Sequence, residues 1–138
     1  MGLSLDPLHL RYVIELAPIT KKNSQQILKT KSGRSFIAPS SAYKNYAKAA
    51  MWYIRPRPLQ PIRRAVTVQC IFYMPTHRRV DLTNLLEAVD DILVERGILA
   101  DDNSTIIVSH DGSRVRYDKE HPRTEIDIFD FEEDKTDV

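Results

Sequence analysis

One cysteine, Cys70, is all the thiol chemistry that this 138-residue chain carries. A disulfide within the chain is therefore excluded, which fits a reducing compartment. Cys70 lies in an apolar, alternating run, so it reads as a buried thiol and not as a redox centre. No run of about 18 apolar residues exists, which excludes a membrane-spanning helix. The N-terminus lacks the charged-then-apolar pattern of a secretion signal, and a soluble, cytoplasmic protein is expected. Internal repeats and low-complexity segments are absent as well.

Acids are scarce in the first 80 residues, where only Asp6 and Glu15 stand against 14 Lys and Arg. The remaining residues reverse the balance, with 17 acids against 6 Lys and Arg. A net charge of +1 thus conceals +12 in one part and −11 in the other. Such a division suggests a basic surface for a polyanion next to an acidic region. An acidic tail from about residue 132, EEDKTDV at its end, accounts for part of the negative count. The length allows one domain, residues 1–138, with a sizeable core.

The order of elements follows from periodicity. Tyr12, Ile14 and Leu16 alternate with Val13 and Glu15 as a first strand, and residues 18–35 form a basic loop with a hairpin turning at Ser32-Gly33. Pro39-Ser40-Ser41 offers N-cap chemistry for a helix to about Ile54, with Tyr43, Tyr46, Ala47, Ala50 and Tyr53 on one face and Lys44 and Lys48 off it. Arg64 to Met74 is the clearest strand, with Val66, Val68, Cys70, Phe72 and Met74 on one side. A helix follows and stops at Gly97, then strands run over Thr105–Ser109 and Thr124–Phe131. Helices separated by β runs without strict alternation predict an α+β fold, a two-layer mixed β-sheet with two principal helices.

The chemistry concentrates in residues 77–105, HRRVDLTNLLEAVDDILVERGILADDNST. Leu82, Leu85, Leu86, Val89, Ile92 and Leu93 form an apolar stripe, opposite Asp81, Asn84, Glu87, Asp91 and Glu95. Five aspartates crowd here: Asp81, Asp90, Asp91, Asp101 and Asp102. Clustered carboxylates raise one another's pKa unless a cation sits among them. Hard oxygen ligands without a nearby thiol point to Mg2+, with Mn2+ as a substitute. Each position also has a plainer reading. Glu87, Asp90 and Glu95 suit a solvated helix face, Asp81 suits an N-cap, and Asp101-Asp102-Asn103 suits a turn.

Spacing narrows the metal set. Asp81 and Asp91 lie about 15 Å apart along a continuous helix, too far to share one ion. A loop from Arg96 can extend roughly 20 Å and bring Asp102 back to the helix start, so Asp81 and Asp102 make a feasible pair. Asp91 joins them only if the helix begins late, near Leu85, or if the site is extended.

DLTNLLEAVDDILVERGILADDNSTI resembles the signature of RusA-type Holliday-junction resolvases, D-x-D-N-L-x-K, then a helix ending in D-x-L, then G and D-D. PITKKNSQQ and PSSAYKNY are similar to that family too, and the likeness runs from the first strand to the last. It implies that Asp81 and Asp102 are catalytic with Asp101 beside them, and that Asp91 matches the helix aspartate. Asp81, Asp102 and Asp91 are then the metal set. Thr83 stands where the family has a second carboxylate, and Glu87 where it has a helix lysine. The missing oxygen falls to Asp101 or Asp91, and the missing cation to the Lys21-Lys22 loop or Arg79. The function expected is Mg2+-dependent, paired nicking of four-way or related branched double-stranded DNA, with Lys21, Lys22, Arg78 and Arg79 on flanking phosphates. Two symmetric nicks imply a C2 homodimer. Thr83 and Glu87 equally suit a non-catalytic relative that still binds branched DNA.

Overall fold

The computed structural model describes residues 7–21, 25–29, 31–39 and 41–132; Lys22, Ser40 and the end of the acidic tail lie outside them. The elements are β1 (His9–Ile14), β2 (Gln25–Lys29), β3 (Ser35–Pro39), α1 (Ser41–Ala50), β4 (Val66–Met74), α2 (Leu82–Arg96), β5 (Ile107–Ser109), β6 (Arg114–Tyr117) and β7 (Arg123–Asp130). A 3-10 turn, Met51–Tyr53, extends α1. The architecture is α+β, with a mixed five-stranded sheet under the two helices and a separate β2–β3 hairpin. Gly33, at φ +86°, turns that hairpin where Ser32-Gly33 predicts it.

β4 organises the sheet. β7 pairs with it antiparallel along its whole length, and β1 pairs antiparallel with β7. On the other side β4 meets two short parallel strands, β5 at Val66 and Thr67 and β6 from Ile71 to Met74. The alternation of β4 puts Val66, Val68, Cys70 and Phe72 on one face, fully buried with Tyr12, Ile14, Ile126 and Ile128 from the neighbouring strands. α2 covers that face with Leu85, Leu86, Val89, Ile92 and Leu93, and α1 adds Tyr46 and Ala50. The opposite face is a polar ladder in which Arg11 reaches Asp127 at 2.7 Å and Glu125 at 3.4 Å, and Arg123 reaches Glu125 at 2.8 Å. Pairing of β1 with β7 therefore interleaves the basic and acidic parts of the chain, and several C-terminal acids are consumed there. Among the described residues no helix is long and apolar enough to cross a membrane.

β5 and β6 leave a gap in the hydrogen-bonding edge of β4, and two side chains fill it. Ser113 Oγ accepts from the Cys70 amide at 3.0 Å, and His110 Nδ1 lies 2.8 Å from the Val68 carbonyl oxygen. A carbonyl can only accept, so Nδ1 carries a proton. His110 Nε2 then faces Asp90 Oδ2 at 2.9 Å, which ties α2 to the sheet. One further proton lies between these two atoms. Burial pushes the Asp90 carboxyl up, with His110 opposing. Burial pulls His110 down, but the Asp90 carboxylate and the bond to the Val68 carbonyl together reverse this and leave the imidazole above its ordinary value. The folded pair thus holds its proton more tightly than the unfolded chain.

The end of α2 sets the position of the acidic loop. Gly97 adopts φ +84°, and its N–H bonds back to the Leu93 and Val94 carbonyls. Ile98 and Leu99 are buried, and Ile62 exchanges hydrogen bonds of 2.9 Å with Ile98 and Ala100. The chain leaving α2 is pinned beside the entry to β4 immediately before Asp101.

Two consequences can be measured. Phe72→Ala should cost roughly 3–5 kcal/mol in denaturant unfolding, because it empties the centre of the core. Leu59→Ala, at a fully exposed position, should stay within about 0.5 kcal/mol. The raised His110 pKa contributes stability in full below about pH 6.5 and loses it as pH rises through the folded value. His110→Gln should flatten that limb of the stability curve, and an unchanged curve would contradict the pairing.

Candidate active site

Asp81 is the N-cap residue of α2, in extended conformation, yet its carboxylate makes no capping bond. The helix start is instead held by the Asp81 carbonyl, which accepts from Asn84 and Leu85. Asp81 Oδ2 accepts from the Asn84 side chain at 3.2 Å, and the carboxylate is exposed. The plain N-cap reading of this side chain therefore does not hold. Arg78 and Arg79 lie exposed in the loop just before it. They border an open cleft of about 460 Å³ with Pro18, Ile19, Thr20 and Val80.

Asp91 sits on the same helix, ten residues on, and α2 begins at Leu82 and not near Leu85. About 15 Å of helix therefore separates Asp91 from Asp81. Lys21 Nζ meets Asp91 Oδ2 at 2.6 Å. That hydrogen bond holds the Lys21 ammonium above its ordinary value, and the neighbouring charges of Glu87 and the Tyr43 phenol act in the same direction. The ammonium also lies 5.6 Å from the Tyr43 ring centroid. Lys21 is thus a partner of the carboxylate face and not a freely projecting surface cation.

Asp101 and Asp102 lie exposed in the loop that follows the Ile62 tie. Asp101 is bent back on the turn: Oδ1 accepts from the Asp102 amide at 2.7 Å, and Oδ2 from the Asn103 side chain at 3.0 Å. These bonds hold its carboxyl below the usual carboxylate range. The turn reading therefore describes Asp101 well. Asp102 moves the other way, chiefly because its carboxyl hydrogen-bonds to Asp101, with the charges of Asp101 and Asp91 adding to the rise. Asp102 in turn contributes to the rise of Asp90. The loop, leaving the buried Ile98 and Leu99, thus carries Asp102 within electrostatic range of Asp90 and Asp91 on the helix.

The expected trio of Asp81, Asp91 and Asp102 does not close into a cage. Among the described residues no three acidic, His or Cys side chains stand close enough to hold one ion. Asp91 and Asp102 lie within electrostatic range of one another, with Lys21 bonded to Asp91 and the Asp102 amide bonded to Asp101. Mg2+ commonly takes one or two protein carboxylates and completes its shell with water and substrate phosphate, so this pair fits it. The raised carboxyl of Asp102, crowded by acids, is the state that a cation relieves. The His110–Asp90 pair went unread in the sequence. Its only signal was a histidine after a strand, ahead of an Asp-Gly turn.

The arrangement from the segment after β1 into β7 coincides with one recognised family. A family model for endodeoxyribonuclease RusA matches residues 15–129, and no curated protein matches the chain. That span holds β2 to β6, both helices and every candidate residue, so the chain belongs to the RusA endodeoxyribonuclease family.

Proposed function

We propose that this protein is a divalent-metal-dependent endonuclease that resolves four-way or related branched DNA by paired nicks. The observation that carries the reading is the Lys21 ammonium bonded to Asp91, with the exposed Asp102 carboxyl within electrostatic range of it, in a chain whose family is endodeoxyribonuclease RusA. Asp91 and Asp102 would hold the ion, Mg2+ or Mn2+, with Asp101 fixing the turn that presents Asp102. The ion supplies polarisation of a phosphoryl oxygen and neutralises phosphate charge. Lys21 takes over from the family's helix lysine: its ammonium feels the charge of Glu87, the residue at that position. A fixed cation there offsets negative charge developing on the scissile phosphate.

Asp81 marks the start of α2, directly after the basic loop of Arg78 and Arg79, with its exposed carboxylate bonded to the Asn84 side chain. In this reading those arginines hold phosphates flanking the cut, and Lys22 extends the basic loop at Lys21. Two nicks related by the symmetry of a junction call for a C2 homodimer, in which each copy supplies one site. A non-catalytic, branched-DNA-binding descendant is the second reading, favoured by the exposed Thr83 where the family has a carboxylate. Nicking of a synthetic junction with Mg2+ present and absent separates the two.

Asp102→Asn and Asp91→Asn should each abolish nicking while junction affinity is kept or slightly raised, since a carboxylate beside phosphate is removed. Normal cleavage by both variants would sink the metal assignment. Asp81→Asn reports whether the helix start shares in the chemistry, and loss of nicking is expected there too. Replacing Arg78 and Arg79 by Ala should weaken binding to all sequences alike and flatten the salt dependence by about one unit per lost contact. An effect confined to particular base sequences would show base readout instead.

A further inference from the structure

A second basic surface lies away from the arginine loop, on α1. This helix, SAYKNYAKAA, contains no acid and two lysines, Lys44 and Lys48. Both are exposed, and they stand one turn apart on the side away from the buried Tyr43, Tyr46 and Ala50. Together they form one wall of an open cleft of about 460 Å³ whose other wall is α2, presenting Asp91 and Glu95. Among the described residues neither lysine forms an ion pair, although two carboxylates line the facing wall. Lys21 also lines the cleft and is bonded to Asp91, so the cations there outnumber the unpaired acid Glu95, with Tyr43, Ala47 and Met51 completing the lining.

We infer that this cleft takes the sugar–phosphate backbone of one DNA strand, with Lys44 and Lys48 as its phosphate contacts. The inference rests on the nuclease reading above and extends it to the path of the strand. Two cations spaced along a helix, and not converging on one point, suit successive phosphates better than a single small anion. The facing carboxylate Asp91 belongs to the candidate metal pair, so a strand held on the lysine wall passes directly before it. Glu95 opposes any phosphate that strays to the α2 wall, where no ion would shield it. Recognition of this kind reads the backbone and not the bases.

The full chain with Lys44→Ala and Lys48→Ala combined tests this, with a fluorescent four-way junction as the probe. Binding measured without metal across a range of salt should show a dependence about two units shallower than wild type, since each phosphate contact contributes about 0.9. With Mg2+, KM for cleavage should rise while kcat at saturating junction stays unchanged. Lys44→Arg with Lys48→Arg should restore both the slope and KM, because phosphate contact needs the charge. Unchanged slope and KM in the alanine variant, with wild type binding and cleaving normally, would overturn the lysine contacts alone. A wild-type chain that neither binds nor cuts the junction would overturn the nuclease reading beneath them.

Discussion

Like charges confined to one corner of the fold are the constraint on which the site depends. Asp90, Asp91 and Asp102 share that corner, and each is compensated in a different way. Asp90 shares a proton with His110, and Asp91 is matched by Lys21 at 2.6 Å. Asp102 has only the hydrogen bond to Asp101, itself an acid, and among the described residues no cationic partner. It is also exposed, so its charge is the one left open to an ion or a phosphate. The proposed metal pair follows from this inequality more than from the count of aspartates. A corner with three equal ion pairs would be a structural brace.

The frame that produces the corner was largely legible in the sequence, because it is built from strongly periodic elements. β4 alternates over nine residues, and α2 repeats its apolar stripe over fifteen and ends on a glycine in the left-handed region. β6 was not legible. Its four residues, Arg-Val-Arg-Tyr, are all exposed on a sheet edge, so burial imposes no pattern on them. His110 was invisible for a related reason. Its place is defined by a gap between two short strands, and pairing across β4 cannot be read from local composition.

The aspartates show where spacing misleads. Helix rise correctly separates Asp81 from Asp91, but the reach of the following loop set only an upper limit on where Asp102 could go. Ile98 and Leu99 use up that reach in the core, and Asp102 comes within electrostatic range of Asp90 and Asp91. The two apolar residues after Gly97 were the available signal, since a loop that buries side chains cannot also extend. The segregation of charge misled in a milder way. Opposite halves of a sequence become neighbours once the first and last strands pair, as Arg11 and Asp127 do.

Glu87, which the sequence resemblance sets at a lysine position, has a cation near it elsewhere in the fold. Lys21, on the segment after β1, brings its ammonium within electrostatic reach of Glu87 and bonds to Asp91 one turn further on. A cation on this neighbouring segment is not fixed by the helix itself. Its position depends on Thr20, which is buried, and on the Tyr43 ring beneath the ammonium. Tyr43 belongs to α1, the helix that carries Lys44 and Lys48 on its outer side. A shift of α1 would therefore move the ring over which the ammonium lies, while the bond to Asp91 ties that ammonium to α2. The proposed strand contacts and the cation beside Asp91 thus share one helix, on its outer and inner sides.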